Sequence, residues 1–330
     1  MTSTPADRRG WRDGIASAFV ATFASPPSWA TGLAGFLAGG GLVLVTVPIL
    51  ALPTMTGIQS ALAGPVSSVA FGSASPTLIA AIAGLVVAGI AIVLLGTWIG
   101  AWAERAGIEA TLRAEHDEGM AATPGTADTA TGTADPAPLD GAPATSRVLL
   151  LRLVSLVPVA VAFGLAWAPL YGAVYRELLV PGDVATPLAV RVILDIPGIV
   201  VAIVVTWLVA DTAAALGVRH LVLERQRVVP ALLHGWSDVV RRPHRALATA
   251  VVGLGLPAIP AVLAIGGAAL AWDAARAALV RGAQPVEIVI PVVLWVATWL
   301  AGLVIVGAGA AFRSAAFTFG ARHRIDSGNV

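Results

Sequence analysis

The chain has 330 residues, of which 57% are apolar and only 12% charged, and its mean hydropathy is +0.86. A soluble domain carries about 25% charged residues, so this composition cannot form a water-compatible surface for the whole chain, and lipid must cover much of it. The net charge of +1 argues against a nucleic-acid partner, which needs a large basic surface, and the lack of cysteine excludes disulfides, thiolate nucleophiles and cysteine metal sites.

From the N-terminus, Arg8, Arg9 and Arg12 precede a broken apolar pattern and the turn Ser25-Pro26-Pro27-Ser28. This is the pattern of a short helix leading into a first span rather than of a secretory signal. A spanning helix needs about 20 apolar residues at 1.5 Å rise per residue. Six runs qualify: Thr31–Leu52, Thr77–Trp102, Val148–Tyr171, Pro187–Leu216, Ala246–Trp272 and Glu287–Ala311. Backbone amides cannot stay unpaired in hydrocarbon, so each run is expected to be a helix. The runs are continuous, without the alternation of barrel strands. The expected fold is therefore all-α: a six-span transmembrane bundle carrying cytoplasmic interfacial amphipathic helices.

Two connections differ in kind. Thr54–Ser75 has no charged residue and joins the first two runs. Gly119–Ser146 is rich in Ala, Thr, Gly, Pro and Asp and has no aromatic residue, so it cannot bury enough apolar surface to offset its ordering entropy. It is expected to be a disordered cytoplasmic linker over 119–146, separating residues 1–118, with two spans, from residues 147–330, with four.

Arginine placement sets the orientation. With a cytoplasmic N-terminus, the inner segments hold Arg8, Arg9, Arg12, Arg105, Arg113, Arg147, Arg152, Arg219, Arg225, Arg227, Arg241, Arg242, Arg245, Arg313, Arg322 and Arg324, against Arg176, Arg191, Arg276 and Arg281 outside. Both termini are then cytoplasmic and the protein belongs to the bacterial inner membrane. Trp29, Trp98, Trp102, Trp167 and Trp272 fall near run ends, where an amphipathic ring is favoured.

Arg227–Leu247 is the most polar helical stretch. At helical spacing Val229, Leu232, Leu233, Trp236, Val239 and Val240 share one side, and Arg227, His234, Ser237, Asp238 and Arg241 the other. Pro243 disfavours helical geometry at Arg242 and ends the helix. A helix near 229–241 with Trp236 on its apolar face and Arg241 and Arg242 at its end suits the headgroup plane, so membrane lipids are an expected partner. A similar helix-then-proline pattern precedes the first run, with Phe19, Phe23 and Pro26 matching Trp236, Val240 and Pro243.

The competing reading of this stretch is chemical. His220 and Glu224 are four apart, as are His234 and Asp238, so each pair can share a helix face. No HExxH motif or neighbouring carboxylate cluster accompanies them, so neither a metal site nor a cofactor site is expected. The order from Leu221 to Ala250 is a helix exit, Glu224, a polar turn, Ala231-Leu232, Trp236, Arg241-Arg242, then a span. This resembles bacterial multi-pass proteins, including the membrane domain fused to some glycerophosphodiester phosphodiesterases. Gly235 stands where that pattern often has serine. The resemblance implies a membrane location and brings over no catalytic residue.

Small and special residues complete the reading. Gly35 with Gly39, and Gly96 with Gly100, have the spacing of close helix approach, for internal packing or for a second copy of the chain. Pro158, Pro169, Pro197, Pro257, Pro260 and Pro291 interrupt spans. Arg152 lies about 6 Å inside the third run and Asp211 about 7.5 Å inside the fourth, measured from their cytoplasmic ends at 1.5 Å per residue. Unpaired charges at such positions are costly. Two arrangements satisfy them: Arg152 faces Asp211, or Arg152 reaches to the headgroups while Asp211 pairs with Arg219 or Arg313.

No nucleotide-binding loop, catalytic constellation or polar stripe for a solute is present. The expected function is a non-enzymatic scaffold or accessory role, with a membrane-protein partner or homo-oligomer. The alternatives are a small permease or transporter membrane subunit, and an interfacial lipid-acting enzyme using His220, His234 or His244.

Overall fold

The computed structural model describes residues 5–42, 76–121, 145–179 and 188–326. These residues form ten helices in order: α1 (Pro5–Ala24), α2 (Pro27–Phe36, continued by a wide turn Leu37–Gly41), α3 (Pro76–Ala121), α4 (Thr145–Ser155), α5 (Val157–Leu179), α6 (Leu188–Asp195), α7 (Pro197–Leu223), α8 (Val228–Arg241), α9 (Pro243–Val280) and α10 (Pro285–Asp326). Among the described residues there is no strand. Among the described residues five stretches are long and apolar enough to cross a membrane: Ile82–Glu115, Thr145–Glu177, Pro197–Leu223, Pro243–Val280 and Pro285–Arg322. Of the first apolar run, residues 31–42 are helical apart from Gly40, whose φ of +99° only glycine adopts freely. The rest of that run and the Thr54–Ser75 loop lie outside the described residues.

Several expected boundaries move. Gly119–Ala121 extend α3 and Thr145 with Ser146 open α4, so the expected linker is trimmed at both ends, and 122–144 lie outside the described residues. The proline positions separate into two kinds. Pro197 heads α7 after the chain bends at Ile196, and Pro158 stands in the first turn of α5 after a break at Leu156, where a missing N–H costs nothing. Pro169, Pro257, Pro260 and Pro291 lie inside continuous helices.

α10 is the centre of the bundle, touching α1, α2, α3, α7 and α9. Glycine permits the closest approaches. A Cβ on Gly32 would overlap the Gly307 carbonyl oxygen, and one on Gly307 would lie 2.7 Å from the Trp29 carbonyl oxygen. A Cβ on Gly96 would stand 2.6 Å from the Ala38 carbonyl oxygen, and one on Gly35 would stand 3.4 Å from the Ala103 Cβ. Gly39 and Gly100 face open space, so only one glycine of each expected pair is used inside the chain.

Burial is concentrated at one end of the bundle. Ala101, Ile108, Val148, Leu151, Ala214, Val218, Leu221, Val222 and Ala231 form one cluster, and Ala213, Ala215, Leu216, Val239, Ala246, Ala250 and Phe317 another. A third joins Ala18 of α1 to Phe312, Ala315 and Ala316 of α10. This near end therefore gathers α1, the end of α3, the starts of α4 and α9, α8, and the ends of α7 and α10. The Trp11 indole N–H donates to the Thr249 hydroxyl across 3.0 Å, and Arg322 pairs with Glu115. The far parts of the long helices expose their apolar side chains, as at Leu85, Leu165, Ile259 and Leu294. The far turn between α9 and α10 is a Schellman motif: Gly282, at φ +64°, lets the N–H of Ala283 donate to the Ala278 carbonyl and its own N–H to Leu279.

The contact face of α8 differs from the one its hydrophobicity suggests. Ala231, Gly235 and Val239 are buried against α7, Leu232 and Trp236 are partly covered, and Val229, Leu233 and Val240 remain exposed. Small side chains win the contact because they allow the backbones to approach. A Cβ on Gly235 would overlap the Ala213 carbonyl oxygen and stand 2.7 Å from the Gly217 amide nitrogen. Serine at this position would clash with the α7 backbone. Gly235→Ala is expected to lower thermal stability in detergent by about 1–3 kcal/mol of overpacking, whereas Gly100→Ala, facing open space, should leave the unfolding temperature unchanged. Equal unfolding temperatures for the two variants would contradict this packing.

Candidate functional site

Five ionisable side chains from four helices meet inside the near end. Arg152, on α4, donates to Glu104 of α3 at 2.7 Å and to Asp211 of α7 at 2.8 Å. Glu104 is also paired with Arg219 of α7, and Asp211 with Arg313 of α10. The order Arg219, Glu104, Arg152, Asp211, Arg313 alternates in sign from one end to the other. The two terminal guanidiniums close it through Phe317, each lying 5.6 Å from the ring centroid. An aromatic face attracts cations through its quadrupole, so Phe317 occupies the place that a third anion would take in this ring.

Burial makes the arrangement obligatory. The Arg219 side chain is 2% exposed and that of Glu104 is 9% exposed. Arg219 donates further to the Ala215 carbonyl at 2.9 Å and to the Ser314 hydroxyl and carbonyl at 3.1 Å. Such charges are tolerated in a low-dielectric interior only when each has a partner and hydrogen bonds. Asp211 lies between Arg152 and Arg313: Arg152 faces it instead of reaching the headgroups, and Arg313, not Arg219, is its second partner. Glu104, Ser314 and Phe317 were not singled out in the sequence. Glu104 lies just past the second apolar run and reads as an ordinary surface residue, and nothing in a one-dimensional pattern aligns it with the third and fourth runs.

A second polar cluster lies at the α7–α8 turn, where Arg225 adopts φ +54° and reverses the chain. His220 Nδ1 is 2.7 Å from Glu224 Oε1 and its Nε2 is 3.1 Å from Asp238 Oδ2. The expected His220–Glu224 pair is present, but Asp238 faces His220 and not His234. His234 is exposed and bonds through Nδ1 to Gln226 Oε1 at 2.8 Å, and Gln226 Nε2 donates to Glu224 Oε2 at 2.6 Å. The rings of His220 and His234 are 5.5 Å apart. Two carboxylates therefore accompany His220, which the spacing did not reveal because Asp238 comes from the next helix. Among the described residues, no three His, Asp or Glu side chains converge on a point that suits a metal ion. His244 is exposed at the start of α9, apart from this cluster.

The remaining residues of interest have plainer environments. Trp236 packs partly against Leu216, Val239 and Ala246, Arg241 is exposed and Arg242 caps α8. At the far end Arg176 pairs with Asp195 at 2.6 Å and Arg191 with Glu177 at 3.1 Å. An open hollow of about 380 Å³ is lined by Asp273, Arg276, Ala277 and Val280 of α9 and by Arg281, which caps it. A hollow lined by one helix is a surface feature and encloses no path. Comparison of the chain with family models, with curated proteins and with solved structures gives no match.

What the five-charge ring can do is hold α3, α4, α7 and α10 at one level, since each ion pair it contains crosses between helices. Removing one partner of a buried pair leaves its charge uncompensated, at a cost of roughly 3–5 kcal/mol. Glu104→Gln is therefore expected to destabilise the protein strongly in detergent, and Arg176→Gln, whose side chain is 68% exposed, hardly at all. In a cycle of Arg152→Ala, Asp211→Ala and the double variant, the double variant should lose less than the sum of the singles. Strict additivity of the three unfolding measurements would show that the pair does not act as a unit.

Proposed function

We propose that the chain is a six-span protein of the bacterial inner membrane, with both termini cytoplasmic, that acts without enzymatic chemistry as a scaffold or accessory subunit. The observation that carries this reading is the ring of Arg219, Glu104, Arg152, Asp211 and Arg313: the charges placed among the spans are used on one another. Intramembrane charges by default mark an ion path or a reacting group; here each faces an opposite charge from a neighbouring helix. The local likeness around Leu221–Ala250 adds a membrane location and nothing more specific.

The even number of crossings has support from the course of the chain. α1 and the end of α3 lie at the same end of the bundle, α1 against Phe312–Ala316 and α3 through Glu115 against Arg322. α3 itself crosses once, from the far end to the near end, and the sixth crossing of this reading starts at α2. α2 begins that crossing, descending between α10 at Gly307 and α3 at Ala103 and Gly96. The near end also holds most of the arginines, which supports a cytoplasmic near end in this reading. α1 and α8 each end at a proline that opens the next helix, and each leaves apolar side chains exposed there: Phe19, Val20 and Phe23 on α1, Val229, Leu233 and Val240 on α8. At that level these faces suit the headgroup boundary.

Reporter fusions test the topology. A periplasm-active reporter should be silent after Met120, Gly235 and Val330 and active after Pro65, Asp183 and Gln284; activity at Met120 or Gly235 would overturn the orientation. The scaffold reading expects a second membrane protein, or a second copy, to co-purify stoichiometrically after extraction in mild detergent. A lone monomer under those conditions, with a detectable hydrolase or transport activity, would replace it.

A further inference from the structure

We propose that His220 is a proton-binding site that fastens α8 to the end of α7 and lets it go when the proton leaves. Both ring nitrogens of His220 face carboxylate oxygens, Glu224 at 2.7 Å and Asp238 at 3.1 Å. A carboxylate only accepts, and a neutral imidazole has one N–H. The two contacts are satisfied together only by the imidazolium, which donates from both nitrogens. When the ring loses a proton, one nitrogen turns a lone pair toward a carboxylate lone pair, and that contact changes from attraction to repulsion.

The geometry decides which contact breaks. Glu224 is on the same helix as His220, one turn on, and makes the shorter of the two bonds. Asp238 belongs to α8 and makes the longer of the two bonds. The Asp238 contact therefore opens, and with it a polar tie between α8 and α7. His234 does not share this behaviour. Gln226 spends its N–H on Glu224, so its oxygen must accept from His234 Nδ1, a bond that neutral and charged His234 make equally well. The groups facing His220 are Glu224, Asp238 and His234, with Arg225 in the turn between them. The other flank of α7, at Val218, Leu221 and Val222, packs through apolar contacts on Ile108 of α3 and on Val148 and Leu151 of α4. Arg219 points away, to Glu104 and Ser314.

The rest of the α8 contact is poised for such a control. It centres on the small residues Ala231, Gly235 and Val239 over Ala213 and Gly217, with Leu232 and Trp236 partly covered. The exposed end of the network, His234, faces the solvent on the α8 side, so the pH of that compartment reaches His220 through the turn. The contribution has a definite sign: it is present while the imidazolium persists and is lost as pH rises through its titration. Release of α8 would uncover the close-contact surface of Ala213 and Gly217.

The test is hydrogen–deuterium exchange of the full chain in lipid nanodiscs between pH 5.5 and 8.5, corrected for intrinsic exchange. Protection of the α8 peptide should fall roughly tenfold across this range, the loss of one charge-assisted hydrogen bond. In His220→Gln and in Asp238→Asn protection should be flat with pH, while His244→Gln should behave as the parent protein. Flat protection in the parent protein would overturn the proposal without recourse to any variant. A pH dependence that survives in a folded His220→Gln protein would overturn it equally, by assigning the response to another group.

Discussion

The ring of Arg219, Glu104, Arg152, Asp211, Arg313 and Phe317 is the constraint on which the rest of the bundle depends. Its members are carried by four helices, and the ion pairs run between them. In a lipid-facing protein there is little hydrophobic drive for helices to associate, because lipid tails are as apolar as leucine. Polar contacts and close backbone packing must then supply the specificity. The ring sets the relative heights of α3, α4, α7 and α10, since a shift of α3, α4 or α7 by one helical turn would part at least two of its ion pairs and a shift of α10 would part the one to Asp211.

Around this ring the packing is made by small residues. Alanine dominates the buried positions, and glycine appears where backbones touch: Gly32 with Gly307, Gly96 with Ala38, Gly235 with Ala213 and Gly217. Such contacts gain dispersion energy through proximity rather than side-chain size. They explain the uneven burial of the molecule. The near end is tied by charge, by close contacts and by α1 and α8 folded over it, whereas the far parts of the long helices present valine, leucine and isoleucine outward.

The same logic extends to α8. Its amphipathic pattern suggests that its largest apolar residues make its main contact, yet Val229, Leu233 and Val240 face outward and a stripe of Ala231, Gly235 and Val239 meets α7. That contact is shallow, and a polar network through His220, Glu224, Gln226, His234 and Asp238 supplements it. The two polar centres thus differ in character. The ring is deep and internally neutralised apart from the charge that Phe317 accommodates, while the histidine cluster is shallow and reaches the exposed His234.

Class and element type were legible in the sequence alone. Continuous apolar runs in a chain with 12% charged residues admit helices and little else, because unpaired amides are intolerable in hydrocarbon. The matched depths of Arg152 and Asp211 were legible too, as was the spacing of His220 and Glu224, since both follow from the fixed rise and twist of a helix. Tertiary structure decided the rest. Glu104, Arg219, Arg313 and Phe317 come from segments up to hundreds of residues apart, and Asp238 approaches His220 from another helix. Which glycine of a pair is a contact and which faces open space, and which stripe of α8 is buried, depend on the neighbour that arrives. A periodicity states what shares a face of one helix; only the packing of helices states what that face meets.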